Sequence, residues 1–173
     1  PHDYPFPATS YLLENKLDEG KLKFEIVNAS IAPELNNLGL VTDALWTDID
    51  NDGFRDLIVV GEFMPITIFK NNVTKFEKLK STGLEFYKGF WNSIAGSDLD
   101  FDGDIDYVVG NIGNNNLLNI KEGEKISLIA GDFDENGSTD FFPSAYFKDE
   151  DGILRLYPFF TRHDFQKEVI DIR

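Results

Sequence analysis

A nine-residue acidic pattern occurs three times in this chain. The stretches read DIDNDGFRD at residues 48–56, DLDFDGDID at 98–106 and DFDENGSTD at 132–140, and all fit D-x-D-x-[DN]-G-x-x-D. Carboxylates crowded into so short a loop repel one another strongly unless a cation lies between them. Recurrence along a chain is the signature of a repeat architecture. The pattern therefore predicts a cation-binding loop that is built three times.

Each acidic loop lies between two apolar runs. The runs before the loops cover residues 41–47, 91–97 and 126–131, and those after them cover 57–63, 107–113 and 141–147. They are rich in β-branched and aromatic residues and are bounded by Gly, Asn and Asp, which predicts strands. Further strand-like runs are found at 10–16, 22–30, 65–72 and 74–81. Each loop is therefore expected at a strand–loop–strand corner.

The order of these strands predicts an all-β chain built from four-stranded antiparallel blades of the β-propeller type. The loops begin at 48, 98 and 132, so the second unit is the shorter one. Propellers close with roughly four to eight blades. We therefore expect about three partial blades of a larger ring within one propeller domain. The expected parts are outer strands of a blade at 10–30, a full blade at 41–81, a shortened blade at 90–120, a further blade at 125–160 and a short helix or tail at 161–173.

The loop positions define a predicted ligand set of side chains at positions 1, 3, 5 and 9 and a backbone carbonyl at position 7. Oxygen-only ligands suit a hard cation such as Ca²⁺. The predicted ligands are Asp48, Asp50, Asp52, Phe54 and Asp56; Asp98, Asp100, Asp102, Asp104 and Asp106; and Asp132, Asp134, Asn136, Ser138 and Asp140. About three calcium sites are expected. The third should bind most weakly, because Asn136 replaces a carboxylate.

The loops have two alternative interpretations, an EF-hand and a turn that binds no metal. An EF-hand shares the first six positions but needs a bidentate Glu at position 12 and flanking helices. Position 12 is Val59, Val109 and Pro143, so the EF-hand interpretation fails. A turn that binds nothing is the other alternative, because Asp, Asn and Gly favour turns in any case. Three copies in the same strand context favour metal binding over this alternative.

Composition narrows the possible partners. The formal net charge of −15 disfavours nucleic acid and anionic membrane surfaces as partners. The absence of cysteine excludes disulfides and thiol catalysis. No apolar run approaches the ~20 residues of a membrane span, so membrane insertion is not expected. The chain begins without Met and shows no signal peptide, and we expect it to be a segment of a longer protein.

The loops and the strands that follow them resemble the FG-GAP/VCBS repeats of integrin α-subunit propellers and their bacterial relatives. The resemblance rests on the acidic loops followed by LIVVG (57–61) or YVVG (107–110), and it covers roughly residues 10–165. Residues 40–71 and 89–113 are similar to bacterial secreted or surface proteins related to cartilage acidic protein. The resemblance implies calcium in these loops, an extracellular or cell-surface location, and a role in adhesion or in binding a protein or glycan. The remaining blades of the parent protein would be a further partner.

The expected function is binding rather than catalysis. The alternatives are a propeller-type enzyme acting on polysaccharide or phosphate esters, and a purely structural spacer. Arg162, His163 and Asp164 group residue types that catalysis uses, but we expect local ion pairs beside a short helix there. The Asn-rich segment 110–119 is either an exposed binding surface or a shortened connection. The identity of the ligand cannot be derived from the fold type.

Overall fold

The computed structural model describes residues 5–113 and 125–159 of the chain. Strands dominate this part, and the helical segments are one turn each. The elements are β1 (Leu13–Asp18), β2 (Lys21–Ile26), α1 (Asn28–Ile31), a 3-10 turn (Pro33–Leu35), β3 (Leu40–Thr47), β4 (Asp56–Pro65), β5 (Thr67–Asn71), β6 (Phe76–Lys78), β7 (Lys88–Ser97), β8 (Asp106–Asn111), β9 (Ile126–Gly131), β10 (Asp140–Lys148) and β11 (Leu154–Pro158). The all-β prediction is confirmed. Strands β1 to β8 lie in one compact unit and β9 to β11 in another.

Strands β3, β4, β5 and β6 form a four-stranded antiparallel meander. Each strand pairs with the next along the chain, and the loop 48–55 joins β3 to β4. This is the strand order expected for residues 41–81, although β6 ends at Lys78. The second acidic loop joins β7 to β8 in the same manner, and the N-terminal end of β7 also pairs with the end of β4. Both loops therefore lie at the predicted corners.

Strand β4 is the centre of the core because both of its faces are covered. Leu57 and Val59 pack in a cluster with Ala32, Leu35, Met64 and Phe69. Ile58 and Val60 point to the opposite face and pack with Ile68 and Ile94. A strand covered on both faces is apolar at every position instead of at alternate ones. This explains the continuous run LIVV that follows the first loop.

A bulge in β3 holds the second repeat against the first. The register of β3 on β4 shifts between Val41 and Asp43. At this bulge the Thr42 hydroxyl donates a hydrogen bond to the Trp91 carbonyl at 2.7 Å, and the Ile94 amide donates to Asp43 Oδ2 at 3.0 Å. Bulges turn side chains out of the regular alternation and so allow such contacts. Strand β7 is fixed beside β3 in this way.

The hairpin β1–β2 differs from its predicted extent. The strand predicted at 22–30 ends at Ile26, and Asn28–Ile31 form a helical turn. Asn28 is the cause: its buried side chain accepts a hydrogen bond from the Leu12 amide at 2.6 Å and donates to the Ser10 carbonyl at 2.7 Å. These bonds tie the helical turn to the segment that leads into β1, which lies far from Asn28 in the sequence.

In the second unit, β10 is the central strand between β9 and β11, and the third acidic loop joins β9 to β10. Phe142 and Ala145 on β10 are buried, and Phe133 from the loop packs against Phe142 with ring centroids 5.5 Å apart. The described strands form sheets of two, six and three strands, and no closed ring occurs among them. The blade count and the ring therefore stay predictions. A membrane-spanning helix does not occur among the described residues.

Candidate metal sites

The first aspartate of each loop organises the backbone around itself. In the first loop, Asp48 accepts the Asp52 amide on Oδ1 at 3.0 Å and the Gly53 amide on Oδ2 at 2.8 Å. Asp98 accepts the Gly103 amide at 3.1 Å. Asp132 accepts the Asn136 and Gly137 amides at 3.0 and 2.9 Å. The chain therefore curls around position 1 in all three copies.

This curl needs two left-handed residues, at positions 4 and 6 of each loop. Position 6 is Gly53, Gly103 and Gly137, with φ of 89°, 99° and 83°. Glycine adopts such angles without steric cost, which is why the pattern requires it. Position 4 has φ of 56° at Asn51, 63° at Phe101 and 56° at Glu135. Asn tolerates this region, whereas a bulky side chain such as Phe is strained there.

The aspartate at position 9 closes the base of each loop by accepting the amide of position 2. The bonds are Ile49 N to Asp56 at 3.0 Å, Leu99 N to Asp106 at 2.9 Å and Phe133 N to Asp140 at 3.0 Å. Asp56 is fully buried and also accepts the Asn71 amide from β5 at 2.7 Å. The first loop is thereby fastened to the next strand of the meander as well.

These contacts gather the carboxylates of positions 1, 3 and 9 into a cluster in every loop. Ligand atoms within each cluster lie within 4.8 Å of one another, and the clusters are Asp48, Asp50 and Asp56; Asp98, Asp100 and Asp106; and Asp132, Asp134 and Asp140. Each of the three clusters could hold a metal ion. The geometry brings nine of the predicted ligands together in this way.

The predicted ligands at positions 5 and 7 have a different local role. Asp52 accepts the Phe54 amide at 2.9 Å, and Asp102 accepts the Asp104 amide at 3.1 Å. Asn136 accepts the Ser138 amide at 2.7 Å. Each pair closes a small side-chain-to-backbone turn of the kind that Asp and Asn favour. Their part in metal binding, through the side chain of position 5 and the carbonyl of position 7, stays a prediction.

The donor set fits a hard cation. All clustered ligands are carboxylate oxygens, and an ionised carboxylate has about four acceptor sites, so one amide bond per oxygen leaves capacity for a metal. Asp98 Oδ1 is buried and has no hydrogen-bond partner in the described part of the chain. An ionised oxygen out of water and without a donor is costly. A cation among Asp98, Asp100 and Asp106 would satisfy it.

Comparison with known protein families agrees with this geometry. Residues 48–109 match the FG-GAP-like repeat, from the start of the first loop to the strand that follows the second. This segment is therefore similar to FG-GAP-like repeats. The resemblance noted from the loops and strands is therefore confirmed for these residues. No curated protein and no solved structure is significantly similar to the chain.

The first loop of the FG-GAP segment contains a basic side chain that the sequence pattern does not include. Lys70, on β5, forms an ion pair with Asp50, and its Nζ lies 3.1 Å from Asp52 Oδ2. Its side chain is 27% exposed, so the ammonium is partly withdrawn from water. The first loop therefore has a counter-charge of its own.

The second loop of the FG-GAP segment has the opposite charge balance. Asp104, at position 7, adds a fifth aspartate. Its pKa is raised above the ordinary value, first by a hydrogen bond and repulsion with Asp102 and further by Asp100 and Asp106. Among the described residues, the ion pairs to acidic loops are those of Lys70 with the first loop. The second loop thus has more negative charge and less compensation.

The third loop lies outside the FG-GAP match and differs at position 5. Asn136 donates a hydrogen bond from its side-chain amide to Asp134 Oδ2 at 3.0 Å. An aspartate at this position would repel Asp134 instead. The Asn therefore lowers the charge of this loop and also supplies a donor to it, which is consistent with the weaker binding expected from the sequence.

The sequence analysis missed two residues of the first site, Lys70 and Asn71. Asn71 donates its amide to Asp56 and its side chain to the Arg55 carbonyl at 3.0 Å. The sequence signal that could have identified them was the predicted hairpin. Because β5 runs antiparallel to β4, the end of β5 lies beside Asp56, where β4 begins. Arg162, His163 and Asp164, and residues 114–119 of the Asn-rich segment, lie outside the described residues.

Proposed function

We propose that the chain is a calcium-binding module of the FG-GAP/VCBS type, in which calcium joins strand corners of a β-propeller. The observation that carries the proposal is the threefold recurrence of one cluster. In each copy, positions 1, 3 and 9 converge within 4.8 Å, and positions 4 and 6 are left-handed. The match of residues 48–109 to the FG-GAP-like repeat supports the same conclusion.

The ion would be held by the clustered aspartates at positions 1, 3 and 9, with position 5 and the carbonyl of position 7 completing the oxygen shell. A bound dication supplies positive charge among carboxylates that otherwise repel one another. The chain's own residues provide the rest of the junction. Asp56 accepts a hydrogen bond from the Asn71 amide and so connects the first loop to β5. Asp56 is also fully buried, at the start of β4. Metal binding should therefore stabilise the fold.

The role we propose for the module is binding of a protein or glycan outside the cell, without catalysis of its own. FG-GAP repeats typically occur in extracellular proteins. The loop aspartates are engaged with the backbone, which is the arrangement of a structural site. The adhesion role follows from the family resemblance, and glycan-array binding tests it. Glycan binding in the presence of calcium, retained by a folded Asp151→Asn control, would support the role. The absence of binding to any glycan would favour a protein partner or a structural spacer.

Calcium dependence of stability is the direct test of the metal sites. A site held at a hundredfold its Kd stabilises a protein by about 2.7 kcal/mol, which corresponds to several degrees in Tm. Calorimetric titration of metal-stripped protein should show saturable calcium binding, and EGTA should lower the Tm. Asp98→Asn should reduce both effects, whereas Asp151→Asn, an exposed aspartate outside the loops, should leave them unchanged. A melting curve unaffected by calcium and EGTA would refute the proposal.

A further inference from the structure

The ammonium of Lys70 lies among the side chains that the first loop offers to a metal. It pairs with Asp50, at position 3, and lies 3.1 Å from Asp52 Oδ2, at position 5. Asp50 belongs to the cluster with Asp48 and Asp56. One of the three clustered carboxylates is thus already neutralised by a side chain of the protein.

The position of Lys70 is fixed by the strand that carries it. The next residue, Asn71, donates its backbone amide to Asp56 Oδ1 at 2.7 Å and its side-chain amide to the Arg55 carbonyl. These bonds hold the end of β5 against the loop. Lys70 is paired in register with Glu77 on β6, but Glu77 has an ion pair with Lys75 and a hydrogen bond from Asn72 at 2.8 Å. The Lys70 ammonium is directed to the loop instead.

We infer that Lys70 is a tethered counter-ion that sets the cation affinity of the first loop below that of the second. The inference rests on the proposed function, because it concerns the same metal sites. A dication entering the first loop either displaces the ammonium from Asp50 or binds within a few ångströms of it, and like charges at that distance disfavour each other. Both alternatives weaken binding.

The second loop provides the contrast that makes the effect visible. Both loops have four aspartates at the side-chain ligand positions, so a count of ligand charges predicts equal affinity. In the second loop, Asp104 is a fifth aspartate, and Asp98 Oδ1 has no donor in the described part of the chain. A bound cation therefore relieves more carboxylate repulsion in the second loop. In the first loop, Lys70 already relieves part of that repulsion.

A calcium titration followed at individual glycine amides tests the inference. Gly53, Gly103 and Gly137 donate their amides to the position 1 aspartates, so their amide NMR signals report on each loop separately. In the wild-type chain, Gly53 should respond at higher calcium concentration than Gly103. Lys70→Met should increase the affinity reported by Gly53 about tenfold and leave Gly103 and Gly137 unchanged.

Two control variants separate this effect from a general change of charge. Lys23→Met removes an exposed lysine that pairs with Glu25 on β2, away from the loop, so Gly53 should titrate as in the wild type. Lys70→Arg retains the cation and should also keep the low affinity. If Gly103 responds to calcium but Gly53 titrates in Lys70→Met as it does in the wild type, the role of Lys70 is overturned and the proposed function is not. No response at any of the three glycines would overturn the proposed function together with it.

Discussion

The first and second acidic loops have the same backbone but opposite charge balance. In both, the position 1 aspartate accepts the amide of the position 6 glycine, and the position 9 aspartate accepts the amide of position 2. The first loop then receives Lys70 and a second strand contact through Asn71. The second loop receives Asp104, whose pKa is raised by its acidic neighbours.

The difference separates what the pattern determines from what its surroundings determine. The nine residues of the motif fix the curl, the clustered carboxylates and the junction with the following strand. The net charge around a metal ion in the loop would depend also on side chains outside the pattern. These are Lys70 on a neighbouring strand and Asp104 at a loop position where the pattern allows any residue. Loops with identical ligand residues can therefore have different affinities, and the two copies can be compared by substitution.

The largest difference in stability is expected at position 9. Asp56 is fully buried and accepts two amides, whereas Asp106 is partly exposed and accepts the Leu99 amide. Leaving a buried donor unsatisfied costs about 1–3 kcal/mol. Asp56→Ala should therefore destabilise by about 2–5 kcal/mol and Asp106→Ala by about 1 kcal/mol. Urea unfolding in EGTA measures both without a metal contribution.

Asp56→Asn provides a milder variant if Asp56→Ala does not fold. It keeps one acceptor oxygen and should lose about half as much stability as the alanine variant. Equal losses at Asp56 and Asp106 would show that the contact with Asn71 adds nothing, and the comparison between the loops would fail at this point.

Much of this arrangement could be predicted from the sequence because it is local. The strand corners, the requirement for glycine at position 6 and the apolar strand after each loop follow from spacing and polarity alone. Lys70 could not be predicted in the same way, because its distance from the loop depends on the register of β5 on β4. The helical turn at Asn28–Ile31 was missed for a similar reason, since it depends on bonds from Asn28 to residues 10 and 12. A local sequence pattern does not predict contacts between residues that are far apart in the sequence.

A smaller difference is expected at position 4, where the loops adopt the same left-handed backbone with unequal residues. Asn51 suits φ near 56°, but Phe101 is held at 63° and is 89% exposed, so it gains little from packing. Phe101→Asn should stabilise the chain by about 1 kcal/mol, and the reverse change Asn51→Phe should destabilise it by about the same amount. Urea unfolding in EGTA again provides the measurement. A loss of stability in Phe101→Asn would show that the Phe side chain has a packing role.

The smallest effect concerns the charge of Asp104. A carboxyl group whose pKa is raised on folding destabilises the fold in its ionised form, so the penalty is absent at low pH and grows as the pH rises through the folded pKa. Without metal, Asp104→Asn should therefore raise the Tm slightly near pH 7. The gain should shrink as the pH falls toward the ordinary aspartate range. A gain that does not change with pH would contradict an electrostatic origin.

The most direct test of the central claim is a crystal structure of the chain grown in calcium, with anomalous scattering used to locate the ion. We predict anomalous density among Asp98, Asp100 and Asp106, with oxygen distances of about 2.4 Å. The first loop should reach the same occupancy only at higher calcium, or when Lys70 is replaced by Met. Water, or no density, in all three aspartate clusters at saturating calcium would contradict the account.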